Sequence, residues 1–111
     1  MSDAYQDVYQ TVLACGVPGT LEAYPVGKVP PLPWFVYLLD GDGGVDADDT
    51  DYAELPRFRV ELYEATRDAD LESSISEAIR DAYGPVRVMP EWIADEGVRM
   101  VAYEFSYTPK G

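Results

Sequence analysis

Histidine is absent from this 111-residue chain. With it go the usual general base, the usual metal ligand and every Ser-His or Cys-His nucleophilic arrangement. Carboxylate pairs remain for acid and base work, but 21 acidic residues in so short a chain produce many pairs by accident. Cys15 is the single cysteine. It falls near the end of an amphipathic helical pattern with no adjacent cation, and reads as a packed, inert thiol. No catalytic and no cofactor-binding residue is expected, and the chain is not read as an enzyme.

The acidic segment is the place to test for a metal, because Asp40, Asp42, Asp46, Asp48, Asp49 and Asp51 are hard oxygen donors of the kind calcium prefers. Its spacing does not fit. With Asp40 and Asp42 at loop positions one and three, Gly44 falls at five, Val45 falls where the turn glycine belongs, and Asp51 replaces the bidentate glutamate. A solvated connection is the expectation, with no metal. Gly41, Gly43 and Gly44 are not a phosphate cradle, since no lysine or helix start follows and the neighbours are anionic. Lys28 to Pro33, KVPPLP, contains a P-x-x-P pattern, but without a basic residue at the usual flanking distance it reads as a rigid lead-in to the next strand.

The elements that must position these residues are organised around Arg57 to Gly84. Phe58, Val60 and Leu62 alternate with Arg57, Arg59, Glu61 and Tyr63, which predicts a strand with one apolar and one charged face. After Glu64 the period changes. Leu71, Ile75, Ala78, Ile79 and Ala82 fall at helical spacing, with Asp68 or Asp70 as the N-terminal cap and Gly84 before Pro85 as the stop. The apolar stripe of this helix is expected to cover Phe58, Val60 and Leu62.

Upstream, a first helix over about residues 3–15, capped by Ser2, places Tyr5, Val8, Tyr9, Val12 and Leu13 on one face. A proline-rich connector over 17–33 follows, with room for one short strand. Trp34 to Leu39 is a continuous apolar run whose length suits a strand buried on both faces. Tyr52 and Leu55 have room to pair briefly before Pro56. Downstream, Val86, Val88 and Trp92 alternate with Arg87, Met89 and Glu91, while Pro90 demands a bulge or an edge position. A turn at Asp95 to Gly97 leads to a last strand with Val101, Tyr103, Phe105 and Tyr107 on one face. The order α-β-β-α-β-β over a single domain predicts a two-layer α+β fold: a mainly antiparallel sheet of about four to five strands packed by two helices.

A net charge of −13 repels phosphate backbones and anionic lipid, so no sequence-specific nucleic-acid binding and no membrane contact are expected. Nine tyrosines, three phenylalanines and two tryptophans place that charge on a folded chain. The lone cysteine and the lack of a signal-like or membrane-spanning run point to a cytosolic protein. One surface stands out. Opposite Phe58, Val60 and Leu62, the sheet should present Arg57, Arg59, Tyr63 and Arg87 with Met89 and Glu91. Interfaces favour that mixture of Tyr, Met and Arg. Composition leaves two readings of it, a subunit contact and an ordinary exposed face laced with cross-strand ion pairs.

Taken together, PLPWFVYLLD, the acidic connection ending at Asp51-Tyr52, RFRVELYEATRDADLESSISEAI and the closing VAYEFSY resemble a small family of tail components of siphophages and prophages of Gram-positive bacteria. The resemblance covers roughly residues 30–107 and is most specific at Arg59 to Tyr63 followed by the acidic helix. That group is similar to tail terminators. It implies an α+β subunit that forms a ring, usually a hexamer, which caps the tail tube and meets the head connector. It also implies residence in the host cytoplasm during assembly and then in the virion tail. The glycine-rich Asp40 to Gly44 turn is longer than the family pattern. The competing expectation is a monomeric acidic binding module, of inhibitor or immunity type, that occupies a basic site on its partner.

Overall fold

A computed structural model describes residues 3–40 and 56–108. The elements are α1 (Asp3–Leu13), β1 (Gly19–Leu21), β2 (Trp34–Leu39), β3 (Arg57–Glu64), α2 (Ala69–Tyr83), β4 (Val86–Ile93) and β5 (Val98–Ser106). The five strands form one sheet in the order β1-β2-β3-β5-β4. All neighbours are antiparallel except β1 and β2. The α+β architecture expected from sequence is therefore observed, its five strands including the short one for which the connector had room. The acidic run from Asp42 to Asp51, the Tyr52 and Leu55 pairing and the Ser2 cap lie outside the described residues. None of the described helices is long and apolar enough to cross a membrane.

Both helices share a core with one face of the sheet. Val8 and Val12 from α1, Ile75 and Ile79 from α2, and Phe35, Phe58, Val60, Leu62, Tyr103 and Phe105 from the strands are all buried in it. The alternation in β3 is reproduced residue by residue: Phe58, Val60, Leu62 and Glu64 are buried, and the residues between them face the other side. Contacts of α2 fall on β5 and β4, while α1 lies over β1 and β2 and touches α2. The α2 stripe thus covers β5 more than the β3 face that the sequence alone suggests. The reason is that β5 inserts between β3 and β4, which puts it under α2 and leaves β3 as the central strand.

Local signals explain the boundaries. The Asp68 carboxylate accepts a hydrogen bond from the Leu71 amide at 3.1 Å, and Gly84, at φ 102°, donates its N–H to the Arg80 carbonyl. Such capping satisfies amides and carbonyls that a helix end leaves without partners. Pro90 sits in β4, an edge strand, where a missing N–H costs least, and β4 runs in unbroken register with β5 from Val86 to Ile93, so no bulge is needed. β2 is buried at Phe35, Val36 and Tyr37, as a strand covered on both faces should be.

The short β1 is the strand for which the connector had room. Gly19 pairs with Phe35, and a methyl group on Gly19 would clash with the Phe35 ring. Phe35 is fully buried and has nowhere to retreat. Gly19→Ala is therefore expected to cost about 1–3 kcal/mol through overpacking, read as a lowered denaturation midpoint. An unchanged midpoint would remove β1 from the sheet.

Candidate subunit interface

The face of the sheet away from the helices is built as a grid by the register. Trp34, Tyr63, Met100 and Glu91 form one row; Val36, Glu61, Ala102 and Met89 the next; Leu38, Arg59, Glu104 and Arg87 a third; and Arg57 and Ser106 a fourth. All four residues expected at an interface lie on this face. They do not form one patch. From Arg57 to Tyr63 the strand advances about 20 Å at its usual rise, so the arginines and the tyrosine mark opposite ends.

At one end, Arg57 and Arg87 flank a groove of about 340 Å3 that Glu104 and Tyr83 also line. The Arg57 side chain is 51% exposed and makes only a long pairing with Asp40, at 3.8 Å. Arg87 is exposed and has no ion pair among the described residues. Arg59 differs. Its guanidinium is held between Glu61, at 2.7 Å, and Glu104, at 2.9 Å, with a side-chain exposure of 26%. Burial would lower its pKa, but bonds and charge from Glu61 and Glu104 outweigh that and raise it. Arg59 points outward as the alternation requires, yet it is a cross-strand clamp between β3 and β5 and not a free surface cation.

At the other end, the Tyr63 ring lies 4.7 Å from that of Trp34, and its hydroxyl donates to Glu61 at 2.8 Å. Burial, reinforced by that bond to a carboxylate, pushes the phenol well above its ordinary range. Val36, Met100 and Ala102 are buried on this face although no helix covers it. The outer face is thus apolar and partly closed at the Trp34 end, and cationic and open at the Arg57 end.

No protein-family model, no curated protein and no solved structure matches the chain. The site must be read from its own chemistry.

On the helix side, sequence reasoning passed over a charged cluster. Glu64 continues the inward phase of Phe58, Val60 and Leu62 and is only 2% exposed. Parity alone marks it, but its position at the strand end lets it pass as a loop residue. Its Oε1 accepts the Asp68 amide at 3.1 Å, while Oε2 accepts no hydrogen bond and lies 3.6 Å from Nε of Arg99. Arg99 donates to both carboxylate oxygens of Glu72, from Nε at 2.8 Å and from Nη2 at 3.2 Å. Burial, followed by the adjacent Glu72 carboxylate, pushes Glu64 up to about 8 against the weaker pull of Asp68 and Arg99. Burial also acts upward on Glu72, but its bonds to Arg99 and to Glu64 prevail and hold it below the usual range. A proton held by Glu64 and shared with Glu72 accounts for the rise in the one and the fall in the other.

Cys15 is half-buried against the core, and burial raises its thiol, which leaves less thiolate. Among the described residues no group of three or more His, Cys, Asp or Glu side chains is placed to hold a metal ion. The expectation for the calcium-like run, Asp40 excepted, falls outside them.

Proposed function

We propose that the chain is a structural subunit of a phage or prophage tail, a tail terminator that assembles as a ring at the head-proximal end and works by contact and not by turnover. The observation that carries this reading is the pairing of two unsatisfied surfaces. β4 is an eight-residue strand at the sheet edge, with Trp92 57% and Val88 42% exposed; beside it stand Arg87, without an ion pair among the described residues, and Arg57, held only by its long pairing with Asp40. An open edge with exposed apolar side chains is a template for another chain, and Pro90 limits how far indiscriminate pairing can run. Head-to-tail contacts close into rings when the rotation between neighbours divides a full turn. A charge of −13 on each copy opposes association in dilute solution, so assembly would wait for the tail tube to act as a template. The head connector is then the second partner.

Arg57 and Arg87 give a cleaner test than Arg59, whose reversal would bring three carboxylates together and unsettle the fold. The double variant Arg57→Glu, Arg87→Glu should fold with nearly unchanged stability, since exposed changes shift it by roughly 0.5 kcal/mol or less. Like charges across each contact should then prevent tails from joining heads. A folded double variant that completes tails at the normal yield removes this face from the mechanism.

The second reading, a monomeric acidic module that occupies a basic site, is favoured by one observation. Two carboxylates, Glu22 and Glu61, stand among aromatic rings at the Trp34 end of the outer face.

A further inference from the structure

The connector after β1 returns over the outer face and encloses a recess of about 230 Å3 against Trp34, Val36, Glu61 and Tyr63. Three rings shape it. Tyr24 meets Trp34 edge-on at 5.3 Å, and Tyr63 meets Trp34 at 4.7 Å in a tilted stack. Two carboxylates complete it. Glu22 is the one described non-glycine residue with positive φ, 63°, and its N–H is fixed on the Tyr37 carbonyl at 3.0 Å. Residues held in that region carry backbone strain, which clusters at binding sites. Glu61 forms the opposite wall; each of its oxygens already accepts one bond, from Tyr63 and from Arg59, and keeps a further lone pair for a ligand. Arg59 divides one positive charge between Glu61 and Glu104, so the wall stays net anionic.

We propose that this recess receives the guanidinium of an arginine side chain presented by a basic partner protein. Aromatic faces attract a cation, and carboxylates beside them accept N–H bonds, a combination suited to a planar group that stacks and donates at once. A quaternary ammonium has no N–H for Glu22 or Glu61. A lysine ammonium is more strongly hydrated and does not stack. An anion is repelled. Net charge selects a basic partner over a second copy, which would bring another −13 to the contact. The inference deepens the second reading above, on which it rests, and does not depend on the ring reading.

The test titrates the intact chain with the peptide acetyl-Gly-Arg-Gly-amide, and separately with its citrulline and lysine counterparts, while the indole N–H resonances of Trp34 and Trp92 are followed. Trp92→Phe assigns the two. The arginine peptide should shift Trp34 saturably and leave the exposed Trp92 unmoved, and citrulline, its uncharged isostere, should bind at least about tenfold more weakly. Glu22→Gln changes an exposed side chain at the rim and should weaken the arginine peptide several-fold at low salt. Equal binding of the citrulline peptide, equal binding of the lysine peptide, or an unaltered affinity in Glu22→Gln would overturn the proposal. So would a concentration-dependent Trp34 shift without peptide that tracks self-association, since the occupant would then be a second copy.

Discussion

Between pH 5 and pH 8 the protein should lose stability as pH rises, and Glu64→Gln should abolish that loss. The sign follows from where the proton sits. Glu64 is 2% exposed and raised from 4.5 to about 8, so within this window the folded chain holds a proton that the unfolded chain has released. Stability from such a group is complete below the unfolded pKa and disappears as pH climbs through the folded one. The expected slope approaches roughly 1.4 kcal/mol per pH unit where the difference is one whole proton. The other shifted groups titrate elsewhere. Glu72 is lowered, so its contribution is lost only on acidification below the ordinary carboxylate range. Tyr63, Tyr103, Cys15 and Arg99 are raised from starting values of 9.0 or above. A glutamine at position 64 keeps a donor toward Glu72 at every pH and carries no charge, so the variant should match the parent at pH 5 and exceed it at pH 8. Urea midpoints at four pH values decide the matter. Parallel curves for the two proteins would mean that Glu64 is ionised throughout.

Ile75→Ala should lower unfolding free energy by about 2–5 kcal/mol, a large share of the ~5–15 kcal/mol of a domain of this size. Ile75 is fully buried, within the cluster that includes Phe58, Val60 and Tyr103. Truncation therefore leaves a cavity under α2 that strands paired across the whole sheet cannot collapse to fill. Leu71, one turn earlier and only partly buried, should cost clearly less. The contrast between the two protects the test against a general effect of helix propensity, since alanine favours the helix at both positions. If the two substitutions shift the midpoint alike, or if Ile75→Ala shifts it not at all, α2 does not lie on the sheet as described.

Much of this protein is written locally. The period of two in Arg57 to Glu64, the change to helical spacing after it, Asp68 and Gly84 at the ends of α2, and the buried face of Val101, Tyr103, Phe105 and Tyr107 each depend on neighbours a few residues away. Those signals are sufficient for element type and for which side of each strand is apolar, because side-chain direction follows backbone geometry. They also mark Pro90 as a bulge or an edge position, since a missing donor is felt within one strand, and the sheet decides for the edge.

Pairing partners are decided only when the chain closes on itself. That β5 enters between β3 and β4 is a non-local choice governed by core packing, and it alone brings Glu104 to Arg59 and Arg99 to Glu64 and Glu72. Arg59 is therefore a half-buried cross-strand clamp: its face was legible from parity, but of the two readings left open for that face the ion pairs are chosen only by the β3–β5 pairing. The inward phase of Glu64 was likewise visible, but its raised pKa was not, because desolvation depends on what α2 and β5 bring over it. The aromatic recess joins Glu22 and Tyr24 to Trp34, Glu61 and Tyr63 across a parallel strand only three residues long. Such a strand is too short for periodicity to register, and it exists because Gly19 leaves room for the Phe35 ring.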